Sequence, residues 1–400
     1  MSTHVAIIGA GLSGLTLALA LHQQSIPCTL YEARSAPLDI GGAVMLSPNA
    51  LRILDSLDVY QSIRTQGHEF NDLHFRTEDD SPLDSYEFGS EEKYGYRALR
   101  IYRNIFIREL STRVQDAGVP ILYNKKFSAV TEETSSTVTW SFDDGSTVTA
   151  AVLVGADGIH SKVRKYLYPD LEPVFTKAMG VSAAVPTAQL NLPSGYNLPT
   201  TIMNRTHGAF VIAPQKADGS EVFIGRQKRA PELDRDGWNA LLNDKEWCIE
   251  YLRKDIASFP AVAQNAVSEI KTETINLWPF YVVPKLERWS SRHARVIILG
   301  DAAHAIPPTA GQGINQAFED VFTFALIIGR VKEDFQRGLK IWQKGRQERV
   351  DRVLALNAQI DKRRMPRDSL DQEEHESFEL GWLYGPDFGE MVEGWLAGEL

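Results

Sequence analysis

The stretch that most constrains this 400-residue chain is Val5-Ala6-Ile7-Ile8-Gly9-Ala10-Gly11-Leu12-Ser13-Gly14-Leu15, followed about twenty residues on by an acid, Glu32. A short apolar run that passes through a glycine-broken turn into an Ala/Leu-rich segment reads as strand, tight turn and helix. Gly9 permits the sharp exit, Gly11 has no Cβ to obstruct a phosphate, and Gly14 lets helix and sheet pack closely. Backbone N–H groups at the helix start, with Ser13 among them, would face an anion. Glu32, at the end of the apolar run Cys28 to Tyr31, is placed to accept hydrogen bonds from a ribose 2′-hydroxyl, with Arg34 as a further contact. A 2′-phosphate would be repelled there, so FAD or NAD fits this turn better than NADP.

Composition excludes several classes. With 43% hydrophobic and 24% charged residues, the chain is ordinary globular protein and long enough for two or three domains. A net charge of −10 argues against a nucleic-acid surface. Two cysteines, Cys28 and Cys248, make no disulfide framework and lack metal-site spacing, which points to a reducing, cytoplasmic setting. The N-terminal apolar stretch lacks a basic leader and is broken by the turn, so it reads as a core unit and not a signal peptide. The longest later apolar run, Val321 to Gly329, is too short to span a bilayer.

Further along, a loop with Gly41-Gly42 leads to Ser47-Pro48-Asn49, where Ser47 is expected to cap a helix. Glu69 to Arg76 and Asp84 to Phe88 read as strands about a Ser81-Pro82 turn. A helix over Arg103 to Ala117 carries Arg103 in its first turn, against the helix dipole, which hints at an anionic partner. Strands follow at Ile121 to Tyr123, Ala129 to Glu132, Thr137 to Phe142 and Thr147 to Val154. The last runs into Gly155-Ala156-Asp157-Gly158-Ile159-His160-Ser161-Lys162-Val163-Arg164, where Asp157 either holds the turn or touches a cofactor; the two roles are compatible.

From Glu172 to about Pro284, alternating segments predict a mostly antiparallel sheet covered by helices around Trp238 to Leu242 and Trp247 to Ser258, an inserted substrate domain. Arg205, His207, Arg226, Trp278 and Tyr281 are its most chemically capable side chains, though each taken singly is better read as packing or surface decoration. The buried strand Arg295 to Leu299 then enters Gly300-Asp301-Ala302-Ala303-His304-Ala305-Ile306-Pro307-Pro308-Thr309-Ala310-Gly311-Gln312-Gly313-Ile314-Asn315. Asp301 stands at the ligand edge of an α/β sheet, and Gly311 and Gly313 expose backbone N–H groups. His304 has no nucleophile or metal partner in view and reads as structural. Lys332 to Arg364 is helical, and the tail from Asp368 is acidic, with Asp371, Glu373, Glu374 and Glu376; Trp382, Leu383, Tyr384 and Trp395 argue that part of it docks.

Three glycine-acid elements in this order, GAGLSG, GADGIHSKVR and GDAAHAIPPTAGQGIN, resemble those of the single-component FAD-dependent aromatic hydroxylases, the class A flavoprotein monooxygenases of the para-hydroxybenzoate hydroxylase fold. The likeness runs to about Arg352. It implies an α/β chain: a Rossmann-like FAD-binding domain in three parts (1–75, 97–171 and 285–330), substrate-domain strands at 76–96, a mostly antiparallel substrate domain at 172–284, and C-terminal helices with the acidic tail at 331–400. By the same resemblance, Gly9, Gly11 and Gly14 cradle the FAD pyrophosphate and Glu32 binds the adenosine ribose. Arg103 contacts FAD, Asp157-Gly158 serves FAD and nicotinamide, and Asp301 binds the ribityl or pyrophosphate part. Pro307, Gly311 and Gly313 face the isoalloxazine ring, Gly42 and Ala43 lie on its other side, and Asn315 completes the set.

The implied chemistry uses tightly bound FAD, transient NADPH or NADH, and O₂. Reduced flavin would form a C4a-hydroperoxide that hydroxylates or epoxidises a hydrophobic cyclic small molecule, in secondary metabolism or aromatic catabolism, with no metal and with the protein a monomer or homodimer. The alternative is an oxidase or dehydrogenase of the same fold without oxygen transfer. Such families have no second Rossmann domain, and the chain has no second GxGxxG. Fungal phenol hydroxylases of this class carry an arginine early in the substrate sheet and a tyrosine before a later proline. The corresponding stretches here read Gly180-Val181-Ser182-Ala183-Ala184-Val185 and Val211-Ile212-Ala213-Pro214, so neither residue is present.

Overall fold

The computed structural model describes residues 4–38, 41–331, 334–364 and 379–398. A five-stranded parallel sheet runs in the order Val296–Ile298, Val152–Gly155, Val5–Ile8, Cys28–Tyr31, Ile121–Leu122. The first strand of the chain is therefore central, with Val5 paired to Val152 on one side and Cys28 on the other. Its strands are covered on both faces, which is why they read as unbroken apolar runs. The helix Leu12–Gln23 is buried along almost its whole length because it lies between this sheet and the helices Arg103–Asp116 and Gly313–Arg330.

Two strands expected from sequence each prove to be two. Thr147–Ala150 joins an antiparallel three-stranded sheet with Phe127–Glu133 and Val138–Phe142, whereas Val152–Gly155 crosses into the parallel sheet. Likewise His68–Phe70 pairs with Ala98–Tyr102, beside Ala43–Leu46, while Asp72–Thr77 joins a seven-stranded sheet. Pro82 lies inside the strand Pro82–Glu87, and the turn sits just before it. Periodicity cannot register a chain that keeps extended backbone while changing partners.

The seven-stranded sheet has the order Asn276–Val282, Val174–Pro186, Glu221–Arg229, Gly208–Pro214, Thr200–Asn204, Asp72–Thr77, Pro82–Glu87, antiparallel except where Thr200–Asn204 meets Asp72–Thr77. Met179, Val181, Phe210, Ile212, Val222 and Ile224 form one face, covered by the helices Arg235–Asn243, Lys245–Arg253 and Ala261–Ala266. The third of these helices was not foreseen, and the expected Trp247 to Ser258 helix stops at Arg253. Strand alternation puts Gly180, Ser182, Phe223, Gly225 and Trp278 on the opposite face.

The helix Gly313–Arg330 carries two fully buried carboxylates, Glu319 and Asp320, in an otherwise apolar stretch. The helix Phe335–Arg364 brings the cations: Arg346 Nε donates to Asp320 (2.7 Å), Arg349 donates to both oxygens of Glu319 (2.6 and 2.8 Å), and Arg346 also pairs with Glu319. Leu383, Tyr384 and Trp395 are buried, so the aromatic part of the tail docks, and Arg349 donates to the Trp382 carbonyl (2.9 Å). Asp371, Glu373, Glu374 and Glu376 lie outside the described residues. No helix among the described residues is long and apolar enough to cross a membrane.

Burial pushes the Glu319 carboxyl up, but Arg349 and Arg346 outweigh it and hold the pKa at about 2. A depressed carboxyl contributes stability that is complete above its ordinary pKa of 4.5 and is lost as pH falls towards about 2. The shift corresponds to about 3 kcal/mol. Glu319→Gln should therefore be less stable than wild type by about that amount at neutral pH, and the gap should close between pH 5 and 2. Denaturant midpoints measured across this range would contradict the assignment if the gap stayed constant.

Candidate active site

The glycine turn is built as its sequence requires. A Cβ on Gly14 would stand 1.9 Å from the Gly9 carbonyl oxygen, so helix and strand meet there with no room for a side chain. A Cβ on Gly11 would meet nothing within 4 Å: this is the open position of the turn, at the N-cap of the helix Leu12–Gln23. Glu32, only 4% exposed, fixes the turn from the second strand. Its Oε2 accepts the Ala10 N–H (2.9 Å), and its Oε1 accepts the Arg34 N–H (2.9 Å) and guanidinium (3.1 Å). Oε1 is thereby filled, while Oε2 keeps a further lone pair for a ribose hydroxyl.

Beside the turn, three charges converge. Asp301 opens the short helix Asp301–His304 after the strand Val296–Ile298, and Arg103 opens the helix Arg103–Asp116. Both side chains reach the surface although protein crowds them. Crowding raises the Asp301 carboxyl against the pull of His304 and Arg103, and it lowers the Arg103 guanidinium, with Asp301 opposing that shift and Arg34 adding to it. The Gly41-Gly42 loop lies over Arg103, whose backbone N–H donates to the Gly42 carbonyl (3.2 Å). Ala43 begins the adjoining strand, opposite Tyr102. A Cβ on Gly300 would lie 3.2 Å from Ser13 Oγ, which places the first and third glycine-acid elements side by side.

Asp157 holds its own turn. Its Oδ2 accepts the N–H groups of Lys162 (2.8 Å) and Val163 (3.2 Å), while Oδ1 is buried without a partner and burial raises the carboxyl pKa. Space beside Gly158 is open. At the other end of the site, Gly311 adopts φ +63°, and a Cβ there would press on Phe88 (3.1 Å) and Met45 (3.2 Å). Gly313 starts its helix with open space around it. Asn315, expected to touch the cofactor, has its side chain spent within the protein: Oδ1 accepts the Ser47 N–H (3.0 Å), and Nδ2 donates to the Gly311 (2.8 Å) and Met45 (3.2 Å) carbonyls. Ser47 does not cap its helix, since its hydroxyl donates to Asn49 (2.6 Å). Pro307 lines a cleft of about 230 Å³ with Val283, His304 and Gln347, which none of the glycine-turn residues enters.

The substrate-face candidates are not brought together. Arg226, 5% exposed, stands opposite Val181 and Phe210 and so on the helix-covered face. There it donates to the His207 (2.9 Å), Tyr251 and Lys254 carbonyls. Arg205 and His207 lie in the distal hairpin, next to Glu78 and Asp255. The Tyr281 hydroxyl accepts from Trp238 (3.3 Å), and its ring packs on Phe175 and His160. Trp278 does lie on the open face, 6.5 Å from Phe223. His304 is structural as expected, pairing through Nε2 with Asp320 at 2.5 Å. Sequence reading passed over Arg100, whose signal was a single charge in the otherwise apolar strand Ala98–Tyr102. It is 7% exposed, donates to Gln215 Oε1 (2.9 Å) and lies over the Phe223 ring.

An open glycine cradle, a buried carboxylate oxygen without a partner and the neighbouring charges of Arg103 and Asp301 suit the diphosphate and ribityl parts of FAD. The chain belongs to the FAD-binding family of flavin monooxygenases, the family model described as FAD binding domain matching residues 2–356. It is 30% identical to a 3-amino-4-hydroxybenzoate 2-monooxygenase of Streptomyces platensis, over 88% of this chain and 87% of that one. It is 26% identical to the 6-hydroxynicotinate 3-monooxygenase of Bordetella bronchiseptica, over 88% and 90%. Its fold matches that of Klebsiella pneumoniae HpxO complexed with FAD and uric acid, with TM-score 0.76 and 22% identity over 98% of this chain and 93% of that one. It also matches CtdE in complex with FAD and substrate 4, with TM-score 0.82 and 19% identity over 99% and 98%.

Two outcomes are expected. Gly14→Ala destabilises the protein by about 3 kcal/mol or abolishes folding, whereas Gly11→Ala changes stability by less than about 1 kcal/mol and lowers flavin retention; thermal melts and the flavin-to-protein absorbance ratio separate the two effects. Asp301→Ala loses bound FAD while Arg205→Ala does not. Equal flavin content in the purified variants would contradict the placement of Asp301.

Proposed function

We propose that the protein is an NAD(P)H- and O₂-dependent FAD monooxygenase that oxygenates a hydrophobic cyclic molecule carrying its own electron-donating substituents. The observation that carries this reading is the open cradle at Gly11 in a chain 30% identical to a monooxygenase along most of its length, with Arg103 and Asp301 influencing each other's charge. Gly9 to Gly14 hold the pyrophosphate, Glu32 a ribose, and Arg103 with Asp301 the middle of the cofactor. When bound, FAD supplies the redox chemistry, taking a hydride from the nicotinamide and activating O₂.

The chain's own residues position the reactants and exclude water. The Trp278 ring lies over Gly180 (3.1 Å from where a Cβ would stand) and the Phe223 ring over Gly225 (2.5 Å), so this sheet face presents an apolar, ring-covered wall to a flat substrate. The Gly311 N–H, expected to be exposed, is spent on the Pro308 carbonyl (3.0 Å), which leaves Gly313, with open space at the start of its helix, to offer an N–H to developing negative charge. The two stretches where phenol hydroxylases carry an arginine and a tyrosine present neither, which favours a ring already activated by amino or hydroxyl groups. The named relatives, acting on 3-amino-4-hydroxybenzoate and 6-hydroxynicotinate, support that choice. The four sheets of the described residues include a single parallel one, so the nicotinamide is a transient visitor without its own Rossmann unit.

A substrate screen on the flavin-loaded protein decides the matter. NADH or NADPH oxidation should accelerate with the right ring compound, and the product should gain one oxygen atom that carries label from ¹⁸O₂. Stoichiometric peroxide with no oxygenated product would establish oxidase chemistry instead, and purified protein that binds no FAD would end the reading altogether.

A further inference from the structure

The strongest unexplained feature is a buried cation without an anion. Arg100 is almost wholly enclosed, yet among the described residues no carboxylate pairs with it: its guanidinium donates one hydrogen bond to Gln215 (2.9 Å), lies 5.3 Å from the centre of the Phe223 ring, and leaves Nε–H buried without a partner. The nearby carboxylate, Glu221, is taken by the Tyr102 hydroxyl and approached by Lys216. Burial lowers the guanidinium pKa to about 10, so the group stays charged at neutral pH with its solvation removed and only a neutral amide and a ring in return. Buried charges are ordinarily paired, and an unpaired one is costly unless a ligand completes it.

Its place in the fold says where that ligand would come from. Arg100 is the cross-strand partner of Met45, so the two share a face of their sheet, and Met45 is the residue against which a Cβ on Gly311 would press at 3.2 Å. Phe223, beneath the guanidinium, belongs to the open face of the seven-stranded sheet and neighbours Trp278. The cation thus stands at the edge of the apolar wall and beside the loop assigned above to the flavin ring.

We propose that Arg100, positioned by Gln215, is the anion receptor of the substrate site and that the substrate is an aromatic acid, its ring against Phe223 and Trp278 and its carboxylate on the Arg100 guanidinium. This rests on the monooxygenase reading and narrows it to a substrate class. A neutral ring of the same shape would leave the guanidinium unpaired, so discrimination comes from the cation and not from the wall. A charged hydrogen bond of this kind is worth about 10- to 100-fold in affinity.

The test uses the flavin-loaded protein, with binding read from the perturbation of flavin absorbance by benzoate, 4-hydroxybenzoate and their neutral amides. Wild type should bind the acids at least about tenfold more tightly than the amides. Arg100→Gln should erase that preference by weakening the acids alone, Arg100→Lys should keep part of it, and Gln215→Leu should reduce it. Equal binding of acid and amide by wild type, or binding of neither, overturns the proposal whatever the variants do. Equal weakening of both by Arg100→Gln assigns the residue to packing between the sheets and overturns it too. Failure of the wild-type protein to hold FAD would instead remove the underlying monooxygenase reading, so the two failures are distinguishable.

Discussion

The site depends on two carboxylates buried in an apolar helix. Glu319 and Asp320 would be intolerable there alone, and what makes them tenable is complete satisfaction: Arg346 and Arg349 from the next helix, Asn49 from the helix Pro48–Ser56, Gln316 from the same helix, and His304 with the Gly300 N–H from the segment before it. A buried network of this kind adds little net energy but rigidifies what it joins, because any rearrangement leaves a charge stranded in low dielectric. It joins both ends of the loop from Gly300 to Gly313 to the turn at Ser47, through Asn49, Gln312 and Asn315. The positions of Asp301 and Gly311, and hence the span between cofactor phosphate and ring, are consequences of that network.

Around this fixed loop, two unlike sheets divide the labour. The parallel sheet presents its C-terminal edge, where backbone N–H groups and a few charges meet an anionic cofactor. The seven-stranded sheet presents one whole face, and strand alternation makes that face independent of the other: Val181 and Phe210 serve the core under the helices, while Gly180, Ser182 and Gly225 thin the open side. The glycines there let the Trp278 and Phe223 rings lie down on the sheet without weakening the core behind. Oxygen transfer requires such a combination, a polar grip on the cofactor beside a dry surface for the ring.

What the sequence revealed was what is local. Strand, turn, helix and acid from Val5 to Glu32 are encoded within one βα unit, so Gly11, Gly14 and Glu32 were readable without knowledge of anything distant. The same holds for Asp157, whose carboxylate bonds the turn that follows it. The sequence could not show that Thr147 to Val154 changes sheets, because extended backbone looks alike in both. Nor could it show that Asn315 bonds Ser47, 268 residues away, or that Asn49 reaches Glu319 across 270. Arg226 attracted attention as a charge in a strand, but its face was set by neighbours on other strands, Val181 and Phe210. A parity count along Glu221–Arg229, with Val222 and Ile224 taken as core, would have placed it with them.

Arg100 and Arg103 lie three residues apart and end in opposite surroundings, one enclosed and one exposed. They sit on one short strand-to-helix junction, where the chain passes from the two-residue period of Ala98–Tyr102 to the helical period of Arg103–Asp116. That switch aims the two cations at different ends of the site. Arg103 comes to the surface, where Asp301 favours its charge while crowding and Arg34 oppose it. Arg100 is carried inward on the strand and meets only Gln215 and a ring. The pair that looks alike in sequence is therefore unlike in electrostatics: one cation shares the surface with a carboxylate and a second cation, and the other is enclosed with no carboxylate paired to it among the described residues.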